Sequence, residues 1–260
     1  ERFWPNAEGT LTATTASEAF RQLSLARVEL ILLDYRLPEG VDGLQFHSRV
    51  KEAGYDIPVI LVTGHSNEAT VIHALRNGVR ELTLLGANSR IVGGPIRNSS
   101  IGPWSVVHGE MSTTAILGYA NKSHYGFLGH SVLGRWVNLG AGTSTSNLKS
   151  TYGPVRLRIG DTQLETGRQF LGSLIGDHAK TAIGMMLDTG SVIGAGASVF
   201  DDLRAPKYVA PFAWGGSTSE RMTQQKFLDT VDRVLPRRDV QVTEPMRSYL
   251  RRSYEWLSRW

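Results

Sequence analysis

The chain has 260 residues and a formal net charge of +4, and 41% of its residues are hydrophobic. This length can bury a sizeable core in one large or two small domains, and the composition argues against wholesale disorder. The mild positive charge, without a dense run of Lys and Arg, argues against nucleic acid as the main partner and is equally consistent with a small anionic ligand.

The absence of cysteine and of long apolar runs bears on chemistry and location. Without cysteine there is no disulfide framework, thiolate nucleophile or cysteine metal site. No apolar run approaches the roughly 20 residues that span a bilayer, and no signal peptide is visible. We therefore expect a cytoplasmic protein with no membrane partner.

Residues 1–86 alternate between strand and helix patterns. Apolar runs at 28–34 and 57–63 each end in a polar residue, as buried parallel strands do. Three helical patterns accompany them, at 16–26, 43–54 and 66–78. This alternation predicts a doubly wound α/β sheet as the first domain.

Residues 87–206 form a second, glycine-rich region that advances in steps of six. The hexads open with an aliphatic or small residue, at Leu133, Leu139, Ile175, Thr181, Leu187, Ile193 and Val199. Neither a helix, with period 3.6, nor a strand, with period 2, produces this spacing. It predicts a hexapeptide β-helix, in which each opening residue points inward and stacks on its equivalent one coil away. The glycines that follow suit tight corners.

Two further segments depart from the hexads. Residues 145–173 break the period and are predicted to loop out of the coil with a hairpin, as binding loops on β-helices often do. Residues 207–260 form a helical tail, with amphipathic patterns at 218–235 and 244–260. An apolar stripe on the last helix is predicted to pack against the coil or a neighbouring subunit: Met246, Tyr249, Leu250, Trp256 and Leu257.

LLDYRLPEGVDGL, at residues 32–44, resembles the receiver domain of bacterial response regulators, which is flavodoxin-like. The resemblance places Asp34 at the phospho-accepting aspartate and Thr63 at the residue that contacts the phosphoryl group. Receivers hold Mg²⁺ with an acidic pair after their first strand, and no such pair precedes residue 28 here. The receiver lysine also has no match, since Leu85 stands in its place. We therefore expect a truncated receiver segment that is not phosphorylated.

From Ile91 onward the sequence resembles another family, above all at VNLGAGTSTSNLK (137–149) and IGDHAKTAIG (175–184). The family is the left-handed β-helix acyltransferase domain of bifunctional N-acetylglucosamine-1-phosphate uridylyltransferase/glucosamine-1-phosphate N-acetyltransferase and related sugar nucleotidyltransferases. The resemblance covers about half of the chain and implies a homotrimer that uses acetyl-CoA as co-substrate. The nucleotidyltransferase half of those enzymes has no counterpart here, so nucleotidyl transfer is not expected.

The same resemblance assigns roles to four residues. His124 falls at the catalytic histidine, where an imidazole can take a proton from the acceptor amine near neutral pH. Asn138 falls at the asparagine that binds the sugar, and Lys122 is matched to a contact with the substrate phosphate. Phe127 stands where a tyrosine hydroxyl is usual, which departs from the family pattern.

For coenzyme A, the resemblance places Ala141, Asn147 and Ala195 along the coil with backbone groups toward the pantetheine arm. Met185 stands where a serine often contacts the thioester. His130 and His178 lie within the repeats and are expected at corners. No spacing of His, Asp and Glu resembles a zinc site, so no metal is predicted.

Hypotheses from different classes follow from these patterns. The favoured function is a sugar-phosphate acyltransferase that uses acetyl-CoA and an amino sugar phosphate. The alternative is a non-enzymatic oligomerisation or interaction module, or a chimera of two truncated families with neither activity. Acyl transfer gated by phosphorylation is a third hypothesis, which the missing acidic pair disfavours. The discriminating feature is whether residues 124–147 form a pocket.

Overall fold

The structure is a computed structural model that describes residues 11–34, 37, 42–57, 59–62, 83–215 and 220–259. The chain divides into two compact units, residues 1–84 and 85–260. The predicted helix at 66–78 and the predicted site residue Thr63 lie outside the described residues.

The first unit contains two helices and a parallel pair of strands. In chain order these are α1 (Ala16–Leu25), β1 (Ile31–Asp34), α2 (Gly43–Glu52) and β2 (Val59–Val62). The helices begin where side chains cap them. The Thr15 hydroxyl accepts a hydrogen bond from the Glu18 amide, and the Asp42 carboxylate accepts one from the Gln45 amide. The predicted α/β alternation of this segment is confirmed.

The second unit is a left-handed parallel β-helix with three walls. Wall 1 is a continuous parallel sheet of seven short strands. They are Leu84–Leu85, Ser100–Ile101, Ala115–Ile116, Val132–Leu133, Leu174–Ile175, Val192–Ile193 and Tyr208–Val209. Strands from successive coils therefore stack directly on one another, as the period of six predicts.

Wall 2 consists of two three-stranded sheets that Asn138 joins through bridges to Asn121 and Lys180. The strands are Arg90–Gly93, Val106–His108, Asn121–Lys122, Lys180–Thr181, Ser198–Val199 and Trp214–Gly215. Wall 3 contains five further strands: Ile96–Arg97, Met111–Ser112, Leu128–Gly129, Ser144–Thr145 and Met186–Leu187. We call the corners between walls 1 and 2, 2 and 3, and 3 and 1 the first, second and third edges.

The residues that open the hexads line the core of the coil. Each of the seven is at most 7% exposed. All of them except Thr181 belong to one continuous apolar cluster, which also contains Ala179, Met185 and Ala197. Burying an aliphatic side chain of this size contributes about 1.5–3 kcal/mol. The glycine that follows an opening residue keeps the coils close together. A β-carbon on Gly194 would lie 2.4 Å from the Pro211 nitrogen of the next coil.

A column of aromatic rings runs along the first edge. We call Trp104, Tyr119, Trp136 and His178 the aromatic column; each has a left-handed backbone, with φ between 54° and 62°. Ring centroids are 6.5, 4.4 and 6.3 Å apart from one ring to the next. A left-handed φ costs a residue about 1–2 kcal/mol, which the stacking of buried aromatic faces offsets.

The segment that breaks the hexads leaves the coil as a hairpin. Antiparallel strands Arg156–Ile159 and Thr162–Glu165 project from it, with Leu157 opposite Leu164. The chain rejoins wall 1 at Leu174. The loop and hairpin predicted for 145–173 are therefore present.

The tail folds into α3 (Gln224–Val234), a 3₁₀ helix (Leu235–Arg238) and α4 (Glu244–Leu257). Met246, Leu250 and Leu257 of α4 pack into a cluster around Phe212, as the predicted stripe requires. Tyr249 and Trp256 of the same stripe are exposed in the single chain, so their packing against a neighbouring subunit stays a prediction. They lie seven residues apart on a different face of the helix. None of the helices within the described residues is long and apolar enough to cross a bilayer.

Candidate functional site

The second edge brings His124 and Ala141 together in successive coils. His124 is exposed at this edge, directly after the wall 2 strand that ends at Lys122. The Gly142 amide donates to the Tyr125 carbonyl (3.1 Å), and the Gly184 amide donates to the Ala141 carbonyl (2.7 Å). Residues 124–125, 141–142 and 184 therefore form one column along the edge.

Tyr125 places a phenol next to His124. Its side chain is 66% exposed. A β-carbon on Gly142 would lie 3.1 Å from the Tyr125 hydroxyl, so the ring lies over the following coil and its hydroxyl ends at the backbone next to Ala141. The second edge therefore carries an imidazole and a phenol on consecutive residues.

Asn138 lies on the outer face of wall 2, in a groove that the 3₁₀ helix of the tail partly covers. We call it the arginine groove; its lining includes Tyr119, Asn121, Trp136, Asn138, Lys180 and Arg238. The Asn121 amide nitrogen donates to the Asn138 side-chain oxygen (3.2 Å), and Arg238 Nη2 donates to the Asn121 side-chain oxygen (3.3 Å). The predicted sugar-binding residue therefore belongs to a hydrogen-bonded chain that ends in a guanidinium.

Lys122 lies inside the coil, where a substrate phosphate cannot reach its ammonium without disrupting the wall. The residue is 1% exposed, and its ammonium donates to the carbonyl oxygens of His108 (3.1 Å), Tyr125 (3.2 Å) and His124. Burial lowers the pKa of Lys122 from 10.5 to about 8. The predicted phosphate contact is therefore corrected: the ammonium holds the backbone of the second edge, next to His124.

Phe127 and Asn147 lie away from the second edge. The Phe127 amide donates to the Ser144 hydroxyl (3.2 Å), on wall 3. The Asn147 amide nitrogen donates to His130 Nδ1 (2.8 Å) at the third edge. His130 stacks on Phe170 with 5.3 Å between the ring centroids. The residue that lacks the usual hydroxyl therefore lies on a different wall from Asn138.

Ala195 and Met185 are separated from the other predicted coenzyme residues. Ala195 lies at the first edge, where its carbonyl accepts from the Phe212 amide (2.8 Å). Met185 is 1% exposed in the core of the coil, so its side chain does not reach the surface. Ala141, Asn147 and Ala195 thus occupy three different edges, and one chain does not bring them into one pocket.

In the first unit, Asp34 is the exposed last residue of β1. Its predicted partner Thr63 is outside the described residues. Across the parts of the chain that the structure describes, no three His, Cys, Asp or Glu side chains come together as a metal-binding group. The roles of Asp34 and Thr63 stay predictions.

Sequence reasoning missed three residues that the structure brings to these sites: Tyr125, Lys180 and Arg238. Tyr125 adjoins His124 in the sequence, so a search for a hydroxyl near Phe127 could have found it. Lys180 occupies the wall 2 position that bridges to Asn138, which the hexad phase could have indicated. Arg238 is 117 residues from its partner Asn121, and no local spacing signals that contact.

The second unit is a hexapeptide-repeat β-helix, and different known proteins are similar to the N-terminal and the C-terminal part of the chain. Residues 7–83 match the family described as the response regulator receiver domain. The oxygen regulatory protein NreC of Staphylococcus haemolyticus is 23% identical over 122 residues, which cover 47% of this chain and 56% of NreC.

Bifunctional enzymes match the C-terminal part. The bifunctional sugar-1-phosphate nucleotidylyltransferase/acetyltransferase of Sulfurisphaera tokodaii is 32% identical over 91 residues, 35% of this chain and 23% of that enzyme. The bifunctional protein GlmU of Methanococcus vannielii is 32% identical over 106 residues, 38% of this chain and 25% of GlmU. The chain therefore spans about a quarter of these relatives. Both resemblances predicted from the sequence are confirmed.

Proposed function

We propose that the β-helix transfers an acetyl group from acetyl-CoA to the amine of an amino sugar phosphate, as a homotrimer. His124 acts as the general base, Asn138 positions the sugar, and the second edge receives the thioester. The observation that carries this proposal is the alignment of His124 and Tyr125 with Ala141 and Gly142 in adjacent coils. The S. tokodaii relative is named as a nucleotidylyltransferase/acetyltransferase, and this name supports the reaction class.

The chemistry requires a base and an oxyanion donor. The amine nitrogen attacks the thioester carbonyl, and His124 takes the proton that the nitrogen loses. The tetrahedral intermediate then collapses, the carbon–sulfur bond breaks, and coenzyme A leaves as the thiol with that proton. The Tyr125 hydroxyl is the donor at this edge that can stabilise the oxyanion. Lys122 positions both residues because its ammonium holds their carbonyls.

A trimer would complete the coenzyme site. The second edge carries exposed apolar side chains, among them Tyr125, Ile183 and Leu203, which are 66%, 73% and 64% exposed. We call these three residues the apolar edge. A neighbouring copy would cover this edge and bring a different edge of its own coil alongside it. Closed cyclic symmetry then buries all three copies of the edge equally.

Steady-state kinetics on the purified chain test the proposal, with thiol release measured from acetyl-CoA and glucosamine-1-phosphate. The His124→Ala variant should lose about 10²–10⁴ in kcat with little change in acetyl-CoA affinity, since it removes only the base. The Tyr125→Phe variant should lose about 10²–10³ in kcat if its hydroxyl holds the oxyanion. The Asn138→Ala variant should mainly raise KM for the sugar.

Tyr152→Phe is the matched control for the loss of a phenol. Tyr152 is as exposed as Tyr125 but lies in the loop before the hairpin, so its loss should change no kinetic constant. Unchanged turnover in His124→Ala, with acetylation clearly above background, would remove His124 from the mechanism.

The apolar edge also favours a second function, a non-enzymatic module that assembles copies of the chain. Phe127 in place of a tyrosine and the buried Met185 are consistent with that alternative. Acetyl-CoA-dependent thermal stabilisation separates the two functions. An acyltransferase should show a rise in Tm with acetyl-CoA, whereas a pure assembly module should show none.

A further inference from the structure

Lys122 is a cation in an apolar part of the coil. It is 1% exposed and belongs to the inner side of wall 2. The residues level with it in the two adjacent coils, Val107 and Leu139, are 0% and 2% exposed. The apolar stem of a lysine suits such neighbours, whereas its ammonium requires hydrogen bonds or an opposite charge. Lys122 is therefore a buried titratable group whose charge needs partners at the second edge.

The partners of the ammonium are three backbone carbonyls. It donates to the His108 carbonyl (3.1 Å) in one coil, and to the carbonyls of Tyr125 (3.2 Å) and His124 in the next. An ammonium has three N–H donors, so all of them are used. The ammonium therefore joins the backbone of two adjacent coils from the inside, at the edge that carries His124 and Tyr125.

No neighbouring charge compensates this ammonium. The titratable side chains on the two corners that pack around it are His108, Glu110, His124 and Tyr125. Wall 3 contributes the buried apolar side chains of Met111 and Leu128. Among the residues that the structure describes, no carboxylate forms an ion pair with Lys122. Burial lowers the pKa of Lys122 from 10.5 to about 8, so the ammonium loses its proton at mildly alkaline pH.

A neutral Lys122 cannot hold the same three carbonyls. A neutral amine has two N–H donors and a lone pair, so one carbonyl is left without its donor. A buried carbonyl without a partner is costly, which favours movement of the backbone that carries it. The Tyr125 carbonyl also accepts from the Gly142 amide of the following coil (3.1 Å). Movement at Tyr125 therefore disturbs a hydrogen bond next to Ala141.

We propose that the proton of Lys122 is a switch for the second edge: the ammonium holds the backbone of His124 and Tyr125 in the arrangement that supports turnover, and loss of the proton releases it. Lys122 is then a positioning residue, since it acts through His124 and Tyr125 and touches no substrate. The effect on turnover rests on the proposed function, whereas the release of a carbonyl does not require catalysis.

Hydrogen exchange of the Gly142 amide tests the switch without substrate, because this amide donates to the Tyr125 carbonyl. In wild type its protection factor, corrected for the intrinsic effect of pH, should be about tenfold lower at pH 9 than at pH 7. The reason is that a lost hydrogen bond to a charged group changes an equilibrium by about tenfold or more. The Gly184 amide is the internal control. It donates to the Ala141 carbonyl on the same edge, and its protection factor should not change.

The Lys122→Met variant tests the coupling to turnover, because methionine keeps an unbranched stem and lacks the three donors. In wild type, kcat for thiol release should fall several-fold between pH 7 and pH 9. In Lys122→Met, kcat should be low already at pH 7 and should not fall further. Tyr125→Phe should retain the alkaline decrease, which shows that the decrease does not come from the Tyr125 phenol.

Lys207→Met is the matched control for the loss of a lysine. Burial also lowers the pKa of Lys207, whose ammonium donates to the Thr189 carbonyl at the third edge. Because Lys207 does not contact the second edge carbonyls that Lys122 holds, this variant should keep the wild-type pH profile and the wild-type protection of Gly142.

Equal protection factors of Gly142 in wild type at pH 7 and pH 9 would overturn the inference, whether or not Lys122→Met folds. A wild-type kcat that does not fall, or a fall that Lys122→Met retains, would overturn it as well. Failure of catalysis is distinguishable from failure of the switch. Loss of Gly142 protection at pH 9 without any thiol release contradicts the proposed acyl transfer alone, and thiol release with constant Gly142 protection contradicts the switch alone.

Discussion

His178 is the titratable member of the aromatic column. Its ring lies 6.3 Å from Trp136 and meets the Phe227 ring edge-on at 5.5 Å. Burial, with a smaller contribution from the Lys180 charge, lowers the pKa of His178 from 6.5 to about 3. The side chain therefore stays neutral in the folded protein and acts as an aromatic ring in the stack.

This environment predicts an acid-sensitive stability that one substitution should remove. Below about pH 6.5, His178 is protonated in the unfolded chain but stays neutral in the folded protein. The free energy of unfolding therefore decreases as the pH is lowered from about 6.5 to about 3. The His178→Phe variant lacks this titration. Its loss of unfolding free energy between pH 7 and pH 5 should be about 2 kcal/mol smaller than the loss in wild type. Phe212 already occupies a left-handed corner, so the backbone tolerates this residue type.

Urea denaturation followed by tryptophan fluorescence near pH 7 and near pH 5 checks this prediction, since Trp104 and Trp136 belong to the same column. Equal losses of stability in the two proteins would show that His178 is not held neutral by its burial.

At the scale of elements, the packing of the tail on the coil depends on a glycine at the first edge. Gly196 takes the left-handed corner position (φ +68°) between His178 and Phe212, and a β-carbon there would lie 2.4 Å from the Phe212 ring. The ring fills that space and contacts Phe227 and Tyr254 of the tail helices, with centroids 5.0 and 4.4 Å away. The absent side chain therefore lets the tail dock on the coil.

Gly196→Ala should destabilise the protein by about 2–4 kcal/mol, because it adds a clash with a buried ring to the cost of a left-handed alanine. Gly184→Ala is the control: Gly184 has φ +73°, and its nearest neighbour, a Leu203 methyl, is at an ordinary 3.5 Å. It should cost only about 1–2 kcal/mol. Chemical denaturation of both variants measures the difference, and equal effects would contradict a packing role for Gly196.

The elements that the sequence predicted well are those governed by local repetition. The hexads at Leu133, Ile175 and Ile193 repeat the same inward contact in every coil, so period alone identifies the walls. The hairpin at 156–165 was predictable because it interrupts that repetition. In the tail, periodicity located both helices but did not separate the face of α4 that meets the coil from the exposed face of Tyr249 and Trp256.

The candidate site was less predictable, because its contacts cross coils and join distant segments. Family resemblance pointed to His124 and Ala141, which lie on one edge, but it could not show that the Lys122 ammonium turns inward to three carbonyls. The backbone geometry of a corner determines whether a side chain points into the coil or outward, and this direction cannot be predicted from the spacing of residues in the sequence. Arg238 reaches the groove only through the packing of the tail on wall 2.

At the scale of the whole molecule, the apolar edge predicts how copies assemble. Multi-angle light scattering at micromolar concentration should give a trimer for wild type. Ile183→Asp should give monomers that remain folded, because it places a charge in the interface while the side chain is solvent-exposed in the single chain. Leu164→Asp is the control, since Leu164 is an exposed leucine of the hairpin, and it should remain trimeric. Monomeric wild type would contradict the proposed assembly.

If this β-helix transfers an acetyl group to an amino sugar phosphate as proposed, both products can be identified by mass. Mass spectrometry of the small-molecule products, after incubation of the trimer with acetyl-CoA and glucosamine-1-phosphate, tests the proposed transfer. We predict a mass gain of one acetyl group on the sugar phosphate and one free coenzyme A thiol per acetylated sugar, both lost in His124→Ala. Unmodified sugar phosphate after prolonged incubation of folded, trimeric wild type would contradict the proposed transfer.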